Sequence, residues 1–388
     1  MVGGGEAMRS DDEPIRVLRV IARMNIGGPA WQTSVLTRKL PDYGIETRLL
    51  TGTVGPDEED FVALRDQDLP FVMVPGLGRS VRLFGDLRAL VSLIAEIRRY
   101  RPHVVHTHTA KAGVLGRIAS MLCGVRLRVH TFHGHLLRGY FPRAITRLVV
   151  FMERSLARRT TTIVTVGDRV RDEVLAAGIG SLDQFVSIAP GVDGPEDIDP
   201  EPVRATFDVP PTAPVVLFVG RLTRVKRVDR LLEAFEEVLR SVPDAILLVV
   251  GDGEEMEAHR ASAVTMGRAV RFVGWQADLR GLMAIADVAV ISSDNEGMPV
   301  TLIEAAMAGV PGVTTDVGSA AEVVEDGVSG RVVPPDAHAL AEGLAEVLAD
   351  AGRRADMGRA ATARAHAMFS TDRLVEDHVA LYRRLLNR

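Results

Sequence analysis

Two kinds of hydrophobic pattern alternate along the chain. Short continuous apolar runs are typical of buried strands, and apolar residues that recur every three or four positions are typical of amphipathic helices. The helical pattern is clearest from Val228, whose partners on one face are Leu231, Leu232, Phe235, Val238 and Leu239. Strands are predicted at 15–21, 47–50, 70–74, 103–107, 127–131, 162–166 and 186–189, then at 215–219, 246–250, 270–273, 288–291, 311–314 and 331–333. Strands that alternate with helices predict an α/β fold with parallel sheets.

The alternation occurs twice, and residues 190–214 separate its two halves. That stretch is rich in Pro and Asp and has no apolar period, which is typical of a linker. We therefore predict one Rossmann-like domain over 1–190, a second over 191–366, and a final helical segment over 367–388. Two doubly wound domains would place the carboxyl ends of their strands around one cleft, where such folds bind ligands.

The composition narrows the class of protein. The chain has 388 residues, of which 47% are hydrophobic and 25% charged, and this excludes a disordered tail or a small disulfide scaffold. The longest apolar runs have strand length, well below the roughly 20 residues of a membrane span. The first residues contain no apolar segment of the kind found in signal peptides. We therefore expect a cytoplasmic protein.

Charge is distributed unevenly between the halves. Residues 1–190 carry a net charge of +7 and the remainder carries −12, within a total of −5. The basic half indicates an anionic partner or a membrane surface, although solvated faces alone produce such imbalances. Residues 136–147 interleave apolar side chains with Arg138, Arg143 and Arg147, which suits a lipid-linked acceptor or an ordinary surface helix. No nucleic acid partner is expected.

A strand followed by GRLTRVK opens the second half. Gly220 permits a sharp turn at the end of the strand, and Arg221 and Lys226 lie five residues apart on the loop that follows. A guanidinium fork and a mobile ammonium group together suit a diphosphate. Solvated loop cations are the alternative.

A second candidate site is SSDNEGMPVTLIE at 292–304, between a predicted strand and a predicted helix. Glu296 in the loop and Glu304 in the helix can face one pocket and accept hydrogen bonds from sugar hydroxyls. Backbone N–H groups near Val300 and Thr301 at the helix start can bind phosphate, with Gly297 allowing close approach and Pro299 lacking an N–H. A capped helix with a dipole-complementing acid is the alternative.

The first half offers a glycine turn and clustered histidines. Gly27 and Gly28 lie between the first strand and a helix, without a full G-x-G-x-x-G fingerprint. Histidines occur at 103, 106, 108, 130, 133 and 135, of which His133 and His135 follow a strand end. No cysteine or paired carboxylate completes a zinc site with them, so hydrogen bonding or proton handling is favoured over metal ligation.

In this order the motifs resemble those of retaining glycosyltransferase family 4, which has the GT-B fold. The resemblance spans nearly the whole chain and rests on NIGGPA at 25–30, HTHTAKAGVLGR at 106–117, VHTFHGH at 129–135, VGD at 166–168, APGVD at 189–193, VGRLTRVK at 219–226, VVGDGEE at 249–255, FVGW at 272–275 and the Glu-x7-Glu run from Glu296 to Glu304. Two positions depart from the family pattern. Many relatives have His where this chain has Gln32, and Asn where it has Pro190.

The resemblance implies a role for each matching position. Arg221 and Lys226, after Gly220, would bind the donor diphosphate, Glu304 the ribose and Glu296 the donor sugar. His133 would lie near the reaction centre, and Gly27 and Gly28 would close over the phosphates. The list of implied donor contacts is completed by Val273 and Trp275 near the base and by Gly297, Met298, Pro299, Val300 and Thr301 along the sugar-phosphate pocket. No cofactor and no metal are implied.

The activity implied by the resemblance is transfer of a hexosyl unit, with retention, from a nucleoside diphosphate sugar to an unidentified small-molecule or lipid-linked acceptor. A UDP-sugar such as UDP-GlcNAc or UDP-Glc is favoured as donor, with GDP-mannose second. A GT-B UDP-sugar epimerase and an inactive sugar-nucleotide-binding subunit are the alternatives.

Overall fold

The structure is a computed structural model that describes residues 13–56, 58–134, 143–194 and 198–387. The strands are β1 (Ile15–Ile21), β2 (Ile45–Thr51), β3 (Val72–Met73), β4 (Val104–His108), β5 (Leu127–Phe132), β6 (Thr162–Thr165), β7 (Phe185–Ser187), β8 (Val215–Val219), β9 (Ile246–Val250), β10 (Val270–Gly274), β11 (Val288–Ile291), β12 (Gly312–Thr315) and β13 (Gly330–Val333). Each predicted strand has a counterpart here, and its ends lie within two residues of the prediction.

Helices follow most of these strands. They are α1 (Gly28–Lys39), α2 (Phe61–Arg65), α3 (Leu83–Tyr100), α4 (Ala110–Leu122), α5 (Arg143–Ala157), α6 (Asp168–Ala176), α7 (Pro200–Thr206), α8 (Val228–Ser241), α9 (Met256–Ser262), α10 (Arg280–Ile285), α11 (Val300–Met307), α12 (Ala320–Val323), α13 (Ala337–Ala349), α14 (Ala351–Phe369) and α15 (Thr371–Leu386). Of the segment 136–147, the part up to residue 142 lies outside the described residues, as does His135.

The strands form two parallel sheets. The first has the order β3-β2-β1-β4-β5-β6-β7 and the second the order β10-β9-β8-β11-β12-β13. In each, the order reverses direction beside the first strand, between β1 and β4 and between β8 and β11. This is the doubly wound, Rossmann-like topology that the alternating pattern predicted.

The chain divides into two compact units. Unit 1 comprises the described residues of Met1–Thr131, Arg159–Thr162 and Val375–Arg388, and unit 2 comprises those of Phe132–Arg158 and Ile163–Leu374. The C-terminal residues of α15 thus belong with the N-terminal part of the chain. The domain limits expected from the linker at 190–214 stay a prediction.

Most of the clustered histidines of unit 1 are structural. His106 is fully buried, and its ring bonds to the Tyr382 hydroxyl at 2.6 Å and to the Thr131 hydroxyl at 2.7 Å. The buried Arg19 guanidinium donates to the same Tyr382 oxygen at 2.8 Å. Burial and neighbouring positive charge hold the pKa of His106 well below its usual value. These side chains fasten α15 to β1 and β4.

The core of unit 2 lies between its sheet and α8. The helix buries Val228, Leu231, Phe235 and Val238 against strand residues such as Val216 and Leu247. This is the apolar face that the periodicity predicted. Because the sheet is covered, its strand ends are fixed, and the loops that follow β8 and β11 have a rigid base.

Candidate functional site

The loops singled out by sequence lie at the switch point of the second sheet. Gly220 follows β8, and residues 292–299 follow β11, the strand that pairs with β8 on the side where the order reverses. Ligands of doubly wound sheets bind at the carboxyl ends of strands at such a point. The topology therefore brings two loops that are 70 residues apart in sequence into one site.

An ion pair joins the two loops. Lys226 Nζ donates to Glu296 Oε1 at 2.6 Å, and the Ser293 hydroxyl donates to the same oxygen at 2.5 Å. The side chain of Glu296 is only 9% exposed and that of Lys226 is 23% exposed. The pair therefore holds one ammonium and one carboxylate together where the two loops meet.

Further contacts fix the loop after β11. The buried Arg230 of α8 donates to the Ser292 carbonyl at 2.7 Å and to Asp294 Oδ1 at 2.6 Å. The Ser292 hydroxyl donates to the Lys226 carbonyl at 2.8 Å. Since Arg230 and Ser292 are both buried, the bond between them is shielded from water and fixes the loop that carries Glu296.

Close backbone approach explains the glycines near Glu296. A Cβ at Gly297 would overlap the carbonyl oxygen of His133, and a Cβ at Gly318 would overlap that of Glu296. Gly318 also has a φ of +47°, a conformation that side chains disfavour. The backbones at 133–134, 296–297 and 318 thus meet, and the Ser319 N–H donates to the Gly297 carbonyl at 3.0 Å.

Helix α11 begins directly after this contact. Met298 and Pro299 are buried, and the Pro299 carbonyl accepts from the N–H groups of residues 302 and 303. Because the helix starts at Val300, the N–H groups of Val300 and Thr301 lie in its first turn, where no intrahelical acceptor is available. Glu304 lies one turn further on and is half-buried. This helix start can bind a phosphate group.

The remaining residues predicted for the donor site lie at different distances from the Lys226–Glu296 pair. Gly220 lies beside Lys226, since a Cβ there would be 3.7 Å from Lys226 Cε. Arg221 is exposed and has no ion pair within the part of the chain that the structure describes. Val273 and Trp275 flank the end of β10 and are half-buried. Gly27 and Gly28 belong to unit 1, where they begin α1, so their role at the donor stays a prediction.

Several residues at or beside the site were not predicted from the sequence. Ser293 and Gly318 contact Glu296, and Glu322 accepts from the N–H groups of Asp168 and Arg169 at the start of α6 at 3.0 and 2.7 Å. The signal for Ser293 is a serine pair directly after a buried strand. Nothing in the local sequence around Gly318 and Glu322 indicates that they contact residues far away along the chain.

His133 carries an uncharged ring at neutral pH. It follows β5, and burial lowers the pKa of its imidazole to about 3. A neutral ring can accept or donate one hydrogen bond but supplies no positive charge.

Two features are absent from the described residues. In that part of the chain no three His, Cys, Asp or Glu side chains are grouped so as to hold a metal ion. No helix there is both long and apolar enough to cross a membrane.

The fold and site together define a class of protein. Two Rossmann-like units, with a cation, an acid and a helix start at one switch point, are those of a GT-B glycosyltransferase that uses a nucleotide sugar. Two family models match the chain: "Glycosyl transferase 4-like domain" over 27–191 and "Glycosyl transferases group 1" over 201–364. The chain belongs to this glycosyltransferase family.

Individual proteins agree with this assignment. A D-inositol 3-phosphate glycosyltransferase of Catenulispora acidiphila is 30% identical, over 90% of this chain and 91% of that protein. The UDP-Gal:alpha-D-GlcNAc-diphosphoundecaprenol alpha-1,3-galactosyltransferase of Escherichia coli is 26% identical, over 72% and 73%. The Anabaena protein Alr3699/HepE, solved with UDP and glucose, superposes with a TM-score of 0.81 at 21% identity, over 95% of this chain and 99% of that one. The family and fold predicted from the motifs are confirmed.

Proposed function

We propose that unit 2 binds a nucleoside diphosphate sugar, with UDP-sugar favoured, and that the enzyme transfers the hexosyl unit with retention. The observation that carries the proposal is the Lys226–Glu296 pair, fixed beside the first turn of α11 at the sheet's switch point. The pair offers a cation for phosphate and a carboxylate for sugar hydroxyls. The UDP complex of the Anabaena relative agrees with uracil as the base.

Charge neutralisation of the leaving nucleotide determines the roles. As the bond between the anomeric carbon and the phosphate oxygen breaks, negative charge grows on the diphosphate. Lys226, the exposed Arg221 and the N–H groups of Val300 and Thr301 stabilise that charge, so transfer proceeds without a metal ion. Glu304, on the same helix, accepts hydrogen bonds from the ribose, and Val273 and Trp275 contact the base.

The proposed stereochemistry follows from the engagement of Glu296. Its Oε1 already accepts from Lys226 and Ser293, and the side chain is nearly buried. A carboxylate so engaged is a poor nucleophile, and a glycosidase-type covalent intermediate needs a free one beside the anomeric carbon. Attack by the acceptor hydroxyl on the face that the leaving group vacates then gives retention. The hydroxyl proton passes to the departing diphosphate oxygen, and His133 lies close to the sugar as a neutral hydrogen-bonding group.

Unit 1 supplies a candidate acceptor pocket. A cavity of about 380 Å³ lies at the carboxyl ends of β1 and β2, on the side of β3. Its lining combines apolar Met24 and Phe71 with polar Asp60 and Gln67. A pocket of this size and mixed character suits a sugar or cyclitol carried on a less polar group.

We also propose that the acceptor is presented at a membrane surface. The named substrate of the Escherichia coli relative is a diphosphoundecaprenol, which is a lipid. The net charge of +7 on residues 1–190 agrees with an anionic surface as partner. Helix α5, which begins within the basic segment 136–147 and continues to Ala157, also exposes Ile145, Leu148 and Phe151.

Nucleotide binding tests the donor proposal. UDP, GDP, ADP and TDP should be titrated calorimetrically into the enzyme in EDTA and then in magnesium. We expect UDP to bind most tightly and with the same affinity in both buffers. Binding that requires magnesium would contradict metal independence, tighter GDP binding would favour GDP-mannose, and no binding at all would contradict the donor site.

A further inference from the structure

Helix α3 exposes apolar side chains at its start and along one side. Val81, in the preceding loop, and Leu83 and Phe84, in the first turn, are 84%, 82% and 87% exposed. Leu87 and Val91 follow on the same side as Leu83 at intervals of four residues, and each is 59% exposed. We call these five side chains the α3 apolar surface.

This surface is separate from the face by which α3 joins the core of unit 1. That face is formed by Ala89, Leu93 and Ile97, which pack against sheet residues such as Leu18 and Leu50. A surface helix normally carries polar residues opposite its buried face. An apolar stripe with a phenylalanine in solvent is therefore typical of a contact site.

The charge around the α3 apolar surface is positive. Arg79, Arg82 and Arg88 are all exposed. The acid within the stretch is Asp86, whose carboxylate pairs with Lys111 at 2.5 Å and accepts from the Arg82 N–H at 3.2 Å. Its charge is thus offset locally. Arg79 lies 3.9 Å from the Glu58 carboxylate, and the exposed Arg82 and Arg88 leave the surface positive. Beyond α3 the sequence has no Asp or Glu from residue 97 to residue 152.

We propose that the α3 apolar surface inserts into the interface of an anionic lipid bilayer. Such a bilayer matches both features of the surface. The lipid tails accept the apolar side chains, and the acidic headgroups attract the flanking arginines. A second copy of this chain that docked by the same surface would meet the same arginines and gain no charge complementarity. The inference rests on the proposed function and adds to it the surface by which the enzyme meets its lipid-borne acceptor.

Vesicle flotation tests this surface. The full chain is mixed with vesicles of phosphatidylcholine alone or of phosphatidylcholine with phosphatidylglycerol, at low and high salt. The variants are V81S/L83S/F84S, R79Q/R82Q/R88Q, L148S/F151S on α5, and the matched control L182S/V264S, which removes two side chains of unit 2 that are 67% and 73% exposed. UDP titration of each variant shows, independently of lipid binding, whether the protein is folded and its donor site intact.

We expect flotation with the anionic vesicles only, weakened by salt. The triple serine variant should lose at least roughly tenfold in lipid affinity, and the triple glutamine variant about fivefold for each arginine that meets the headgroups. The control should change less than about twofold, with UDP affinity the same throughout.

Several outcomes would overturn the proposal. They are equal flotation of the triple serine variant and the wild type, loss of flotation in L148S/F151S alone, and no flotation of the wild type. A lipid-free wild-type dimer that the triple serine change converts to a monomer would assign the surface to a second copy instead. Failure of the donor proposal would appear only as absent UDP binding, whatever the flotation result.

Discussion

Replacing Lys226 by methionine removes the ammonium group that we assign to the donor diphosphate. Methionine keeps most of the apolar stem, so the change is mainly one of charge. A charge-assisted hydrogen bond is worth about 1.5–3 kcal/mol, which corresponds to a loss of roughly 10- to 150-fold in UDP affinity. Glu296, 9% exposed, would keep the Ser293 hydroxyl but lose its counterion. We therefore also expect a loss of about 1–3 kcal/mol in the free energy of unfolding.

The double variant K226M/E296Q separates the two effects. It removes the buried carboxylate together with its partner, so the free energy of unfolding should recover toward the wild-type value. UDP affinity should stay low because the phosphate still lacks its cation. Calorimetric titration of UDP and urea unfolding of the same samples give both quantities.

Arg224→Met is the matched control. Arg224 is exposed and begins the same 3-10 turn that ends at Lys226. Its loss should change UDP affinity by less than about twofold. Unchanged UDP affinity in K226M, or equal losses in K226M and R224M, would refute the assignment of Lys226 to the diphosphate.

Three other predictions concern the site and its support. Gly297→Ala should reduce UDP affinity at least roughly tenfold, because the added Cβ overlaps the His133 carbonyl. As a control, Gly194→Ala should leave UDP affinity unchanged, because its added Cβ would be 3.6 Å from the nearest atom. Unchanged UDP affinity in G297A would contradict the close approach of the two backbones. Tyr382→Phe should cost about 1–3 kcal/mol in urea unfolding, since the Arg19 guanidinium loses its acceptor in a buried site; a change below about 0.5 kcal/mol would show that the network is not stabilising. His133 has its pKa lowered to about 3 in the folded state, so the unfolded chain takes up the proton first as pH falls below about 6.5 and stability declines. His133→Gln should therefore lessen the loss of unfolding free energy between pH 7 and pH 5 by up to about 2 kcal/mol, and equal losses in both proteins would contradict the lowered pKa.

The fold was predictable because its signal is local. Thirteen short apolar runs marked the strands, since parallel strands buried on both faces need continuous apolar sequence. The apolar face of α8 was equally readable from its spacing. The same logic found the loops of the site, because parallel strands bring their carboxyl ends to one edge.

The contacts within the site were less predictable. The sequence marks Lys226 and Glu296 as candidates for phosphate and sugar, but their pairing depends on the strand order, which places β8 beside β11. The contact between Gly297 and His133 joins residues 164 positions apart, and no local pattern signals it. Histidines in β4 suggested chemistry, whereas His106 hydrogen-bonds to α15 and stabilises the fold.

A crystal structure solved from enzyme crystals soaked with UDP tests the central claim most directly. We predict that the β-phosphate lies within hydrogen-bonding distance of Lys226 Nζ and of the N–H groups of Val300 and Thr301, with the ribose hydroxyls at Glu304. A nucleotide bound elsewhere, with the Lys226–Glu296 pair untouched, would contradict the account.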